Sequence, residues 1–179
     1  MSDIFSIIDD TNGYKLNIDM DIQEKAWLAN LSDLKVLVIR VSNSFVSYIK
    51  LNKYADTIEF SLIFMNNAGI EKLNLQYRAK DKPTNTLSFP AQELNIKEID
   101  KIKFPDRFLI LGDVVFSYAI IEDEAKEQNK SFVDHFTHLL IHGLLHLIGF
   151  DHEENDEAEE MERIEVAILA TLGIESPYN

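Results

Sequence analysis

The stretch SFVDHFTHLLIHGLLHLIGFDH, residues 131–152, constrains this chain most, because its pattern demands a buried helix that also carries polar rings. All five histidines of the 179 residues lie in it: His135, His138, His142, His146 and His152. His142 and His146 are four apart, so a helix sets both on one face, one turn above the other. Phe136, Leu139, Leu140, Ile141, Leu144, Leu145, Leu147 and Ile148 make that helix apolar almost all round, which predicts burial. Ser131 with Asp134 resembles the capping pattern that opens a helix. Gly149 offers the positive φ that ends one. The chain can turn there and bring His152 back toward the same face.

The resulting pattern is His-x3-His-x2-Gly-x2-His. Three neutral imidazoles on one short segment suit a zinc ion held tetrahedrally, with water in the fourth position. A lone buried His, or an isolated pair, reads equally as a core group hydrogen-bonded in place. The helix-ending Gly and the third His tip the reading toward metal. His135 and His138 fall near the same stripe, one and two turns earlier. They read as groups behind the ligands or beside a substrate, with a satisfied core or surface His as the alternative. Zinc peptidases place Glu directly after the first His as general base. Here that position is Gly143. The segment has the ligand spacing of the metzincin peptidases without their base. Asp151 adjoins the expected ligand His152 and reads as a group that orients one of the ligands.

The length predicts one domain over residues 1–179 with a substantial core. The absence of cysteine excludes disulfides and thiolate metal sites and fits a reducing, cytoplasmic setting. The opening MSDIFSIIDD has no basic segment of the kind a signal peptide needs. No apolar run approaches the ~20 residues of a membrane span. With 17 Lys and Arg against 31 Asp and Glu, composition alone argues against a general nucleic-acid binder. Much of the acid is local, however. Glu153, Glu154, Asp156, Glu157, Glu159, Glu160 and Glu162 crowd the start of one helix, where they complement its dipole and face solvent.

Taken in order, residues 3–8 predict a strand and Thr11-Asn12-Gly13 a turn. Residues 21–51 predict one or two amphipathic helices, opposed by the β-branched run Val36 to Val41. Residues 57–64 alternate as a strand, and a helix over 68–78 follows, capped by Asn66 or Asn67. The stretch from Tyr77 through Arg78, Lys80 and Lys82 is the most positive in the chain and reads as a loop. Arg78 offers a planar fork suited to phosphate, against the alternative of a merely solubilising loop. A short strand before Pro90, an irregular connection over 91–106, a buried strand over 108–116, a polar helix over 118–128 and a last helix over 154–172 complete the reading. Gly112-Asp113 inside the fourth strand suggests a bulge. The outcome is an α+β or mixed α/β domain with a small, part-parallel sheet under the His helix.

Two long blocks resemble the YbeY proteins, bacterial metal-dependent endoribonucleases of rRNA maturation. One runs from His142 through Gly143, His146, Gly149, Phe150 and Asp151 to His152. The other runs from Leu73 through Tyr77, Arg78, Lys80, Pro83 and Asn85 to Ser88, Phe89 and Pro90. Leu111-Gly112-Asp113 and the run Asp156 to Met161 also match. The resemblance covers about residues 58–177, and Phe150 stands where that family usually has Tyr.

The resemblance implies cleavage of single-stranded RNA, maturation of small-subunit rRNA 3′ ends, ribosome quality control, and association with the small ribosomal subunit and its assembly factors. It implies zinc on His142, His146 and His152, a functional Arg78, and a mixed sheet with a zinc-peptidase-like His helix. Asp113, Lys80 and Ser88 lie in the matching blocks and are further candidates beside the substrate or behind the ligands. Two rivals stand beside this reading. One is a metallopeptidase, opposed by Gly143 and the basic block. The other is a ribosome-binding module with a structural zinc, which would call for a fourth ligand such as His135 or His138.

Overall fold

The structure is a computed structural model that describes residues 2–31, 33–151 and 155–178, without the side chains of residues 30 and 155. Its centre is a five-stranded sheet in the order β1-β2-β3-β5-β4. Strand β1 (Asp3–Asp9) pairs antiparallel with β2 (Lys15–Ile22). Strand β3 (Thr57–Met65) runs parallel to both β2 and β5 (Phe108–Ser117). Strand β4 (Thr86–Pro90) closes the far edge antiparallel to β5. The sheet is therefore mixed, as the order of elements suggested.

Strand β2 is absent from the sequence reading, which starts a helix at residue 21. Its signal is a clean alternation: Leu16, Ile18, Met20 and Ile22 are buried, and Lys15, Asn17, Asp19 and Asp21 point away from the core. Strand β3 does the same with Ile58, Phe60, Leu62 and Phe64, so the two strands present one apolar face. Helix α2 (Leu34–Ile49) contains the β-branched run and stays helical, because Val38 and Val41 are buried against that face and packing overrides weak propensity. Trp27, on the short α1 (Ala26–Asn30), is fully buried among Phe64, Tyr118, Phe132 and Phe136, with ring centroids 4.9–5.6 Å away.

The two faces of the sheet are covered differently. Helix α5 (Phe132–Leu147) lies on the main core face, beside α2, α4 (Tyr118–Glu127) and α6 (Asn155–Thr171). Helix α3 (Asn67–Arg78) covers the opposite face at the β4 end, over a small cluster of Ile70, Leu87 and Val115. The expected caps hold: the Asn66 side chain accepts from Gly69 N, and Ser131 Oγ accepts from Asp134 N. The irregular connection contains two 3₁₀ turns, Ile96–Lys101 and Pro105–Arg107.

Gly112 sits at a register shift of β5, with φ 129°, where a Cβ would come within 2.2 Å of the Phe89 carbonyl oxygen. The shift fixes which β5 side chains meet α5. Val114 and Phe116 lie on that side with Ser88 of β4, and Asp113 and Val115 lie on the α3 side with Phe89 and Leu87. Helix α5 approaches the sheet closely at Gly143, where an added Cβ would stand 2.5 Å from Val114 Cγ1 and 3.4 Å from Ser88 Oγ. Ser88 Oγ in turn donates to the Gly143 carbonyl at 3.1 Å. Gly143 thus faces the packed sheet, and any side chain there drives α5 away from β4 and β5. Gly143→Ala is expected to lower stability by about 1–3 kcal/mol through overpacking, read by urea unfolding. Wild-type stability would show that the helix is not held this close.

Candidate metal centre and active site

Helix α5 puts His142 and His146 one turn apart, both partly exposed, with ring centroids 4.6 Å apart and the two Nε2 atoms 3.1 Å apart. What lies behind each ring decides what those nitrogens can do. His142 Nδ1 is 2.7 Å from Glu165 Oε1, and His146 Nδ1 is 2.9 Å from the Phe150 carbonyl. A carboxylate and a carbonyl only accept, so both Nδ1 atoms carry the proton. In neutral rings both Nε2 atoms then present lone pairs to one another. Two lone pairs at this distance repel unless a cation lies between them. Zinc–nitrogen bonds of about 2.0–2.1 Å at a tetrahedral angle separate two nitrogens by roughly 3.3 Å, so the pair fits such an ion. The Phe150 contact uses the backbone, so the hydroxyl that a Tyr would carry there is not needed for it.

Glu165 is the residue the sequence reading missed. It lies on α6 and is fully buried. It accepts from His142 on Oε1, and from His138 Nε2 at 3.0 Å and the Tyr178 hydroxyl on Oε2. Burial alone raises its pKa, but the donors from His138, His142 and Tyr178 outweigh burial and hold it at about 2. The signal was legible: Met161, Glu165, Ile168 and Leu172 share one stripe of α6, and a charge on a core stripe calls for partners.

The other candidates divide between the two faces. His138 stands behind the centre, joined to it through Glu165. His135 is buried one turn earlier, with Nε2 2.8 Å from Glu124 Oε2; Asn85 donates to the same carboxylate at 3.1 and 3.2 Å. Burial raises the Glu124 pKa, and His135 and Asn85 more than reverse this, leaving it lowered. Ser88 lies beside the centre through its bond to the Gly143 carbonyl. Asp151 is exposed just after Phe150. Asp113 points to the α3 side of the sheet, the side on which Arg78 ends α3, and away from the His helix, because the shift at Gly112 sets its parity.

Arg78 ends α3 and is exposed, with no hydrogen bond or ion pair among the described residues. It stands on the α3 side, so edge strand β4 separates it from the His pair. Lys80 is exposed in the following loop, which curls round the buried Asn74: Lys80 N donates to its carbonyl at 3.3 Å, and its side chain donates to the Lys82 carbonyl at 2.7 Å. His152, the expected third ligand, lies outside the described residues, as do Glu153 and Glu154. Among the described residues no third His, Cys, Asp or Glu completes a metal-binding group with His142 and His146.

The buried charge of Glu165 gives the metal-free protein a defined response to acid. Its folded pKa of about 2 lies below the ordinary 4.5, so its stabilisation is complete above pH 4.5 and is lost as the pH falls through 2. That contribution is on the order of 3 kcal/mol. Glu165→Gln keeps the shape and removes the charge. The stability gap between wild type and this variant should narrow from pH 4.5 to 2, measured by urea unfolding at each pH; a constant gap would mean that the charge is not what stabilises.

The sequence pattern of the family described as Endoribonuclease YbeY matches residues 19–173. Curated relatives carry the same name. The protein of Agrobacterium fabrum is 40% identical over 167 residues, covering 91% of this chain and 95% of its own. That of Rhizobium etli is 41% identical, covering 92% and 94%, and that of Sinorhizobium medicae is 48% identical, covering 91% and 95%. The solution structure of TM1509 from Thermotoga maritima shares the fold, with a TM-score of 0.52 at 22% identity over 88% of this chain and 91% of that one. With matches of this length and identity to the same sequence blocks that build the His helix and its neighbouring edge strand, the chain belongs to the endoribonuclease YbeY family.

Proposed function

We propose that this protein is a zinc-dependent endoribonuclease that cuts single-stranded RNA. Its place would be the cytoplasm, in maturation of small-subunit rRNA 3′ ends and in ribosome quality control, with the small subunit and its assembly factors as partners. The observation that carries the reading is the facing pair of His142 and His146 Nε2 atoms, 3.1 Å apart, with each Nδ1 set against an acceptor oxygen. His152 is the proposed third ligand. Zinc when bound supplies a Lewis-acid charge for a phosphodiester oxygen and makes nearby water more acidic.

The chain's own residues supply the rest. Glu165 and the Phe150 carbonyl hold the Nδ1 protons and so keep both Nε2 atoms as acceptors. Arg78, exposed and unpaired among the described residues, is available to a phosphate in its bidentate fork. With Lys80 and Lys82 it puts positive charge on one loop of a chain of net charge −14. Gly143 offers no base for peptide hydrolysis, and its contact with Val114 leaves no room for one. No described helix is long and apolar enough to cross a membrane.

The decisive experiment is a cleavage assay on single-stranded rRNA fragments with metal stripped and restored. Cleavage should vanish with chelator, return with zinc, weaken as salt rises, and be slower on duplex, whose stiff phosphates cannot all reach a recessed ion. Zinc-dependent proteolysis of casein with RNA left intact would overturn the reading in favour of a peptidase. About one equivalent of zinc is expected, and His146→Ala should lose it. Arg78→Ala should fold and bind zinc normally yet lose cleavage, with Arg78→Lys recovering part of it. Unfolding of Arg78→Ala would make the side chain structural instead.

A further inference from the structure

The segment that follows α6 turns back onto the rear of the metal centre. Gly173, at φ 78°, ends the helix, and Ile174 N donates to the Leu169 carbonyl at 3.0 Å. Lys130 Nζ, from the loop before α5, donates to the Pro177 carbonyl at 2.8 Å. Tyr178 N then reaches Ser176 Oγ at 3.2 Å. These contacts deliver the Tyr178 hydroxyl to Glu165, the only buried carboxylate among the described residues. The ring is 45% exposed, but its hydroxyl points inward, donates to Glu165 Oε2 and lies 3.1 Å from His138 Nε2.

The arrangement has a mechanical consequence. A glutamate carboxylate turns easily about its terminal torsion, because that well is broad. His142 alone, on Oε1, would not fix its plane. His138 comes from α5 and Tyr178 from the returning segment, and both meet Oε2, so the carboxylate is held at both oxygens. Its plane sets the lone pair offered to His142 Nδ1–H. That in turn sets the tautomer and the ring angle that aim Nε2 at the ion. Burial and the neighbouring Glu165 charge push the Tyr178 pKa up, so the hydroxyl stays a donor at every working pH.

We propose that Tyr178 is a positioning residue of the metal centre: its hydroxyl orients the Glu165 carboxylate, which holds His142 with Nε2 presented to zinc. The inference rests on the zinc reading above and concerns binding of the ion rather than cleavage of RNA.

The test uses the full chain and Tyr178→Phe, which keeps the ring against His138, with centroids 5.5 Å apart, and removes only the hydroxyl. Zinc affinity is measured by competition with a chromophoric chelator. The His142 tautomer is read from imidazole nitrogen chemical shifts of the metal-free protein. Tyr178→Phe should bind zinc roughly tenfold more weakly, the lower end of what losing an outer partner of a ligand costs. Its His142 should show an admixture of the Nε2–H form. A lowered melting temperature with wild-type tautomer signal and wild-type zinc affinity would mean a purely structural role and overturn the proposal, while leaving the zinc reading intact. A wild-type protein that binds no zinc would overturn both. Should Tyr178→Phe fail to fold, Tyr178→Leu carries the same test, since it also removes the hydroxyl, at a residue 45% exposed; unchanged zinc affinity there overturns the proposal too.

Discussion

A carboxylate without water around it must find donors, and in this fold the site is arranged around that requirement. Glu165 is fully buried and ionised, with His138, His142 and Tyr178 turned toward it from α5 and from the segment after α6. Because His142 donates a hydrogen bond from Nδ1–H to Glu165, its other nitrogen is left as an acceptor. His146 reaches the same state through a backbone carbonyl. Two different acceptors therefore produce the same electronic state in neighbouring rings, and that shared state makes the pair suited to a cation.

The same pattern repeats two turns before His142, where His135 donates a hydrogen bond from Nε2 to Glu124, itself held by Asn85. Asn85 belongs to the loop that precedes β4, so this second carboxylate ties the His helix to the edge strand. At the other end of β4, Gly112 lets the Phe89 carbonyl approach, and Gly143 lets α5 settle on Val114 and Ser88. Two glycines thus set how near the His helix lies to the strand that divides it from Arg78. A side chain at Gly112 would strike the Phe89 carbonyl, and one at Gly143 would strike Val114.

The acidity of the chain and an RNA substrate are compatible once charge is placed in space. The acids of α6 sit on its exposed first turns, where they favour the helix dipole, whereas Arg78, Lys80 and Lys82 gather where α3 ends and its loop curls round Asn74. At physiological salt, exposed charges more than about 8 Å apart are largely screened from one another. Local charge, together with any bound ion, then matters more to a phosphate than the total.

The sequence by itself determined the His helix, its cap at Ser131, the spacing of His142 and His146, most strands and the family, because each is written in local periodicity or in contiguous motifs. Strand β2 was legible too, in the alternation Leu16 to Ile22, but lay hidden next to a helical stretch. The fold decided what depends on residues far apart in the chain. Glu165 meets His142 across 23 positions, and Tyr178 meets His138 across 40. The face on which Asp113 stands depends on one extra residue, Leu111, at the register shift before Gly112. Periodicity reports which side of an element is buried; only the packing of one element on another reports which polar groups meet there, since hydrogen-bond partners are chosen by distance and not by sequence order.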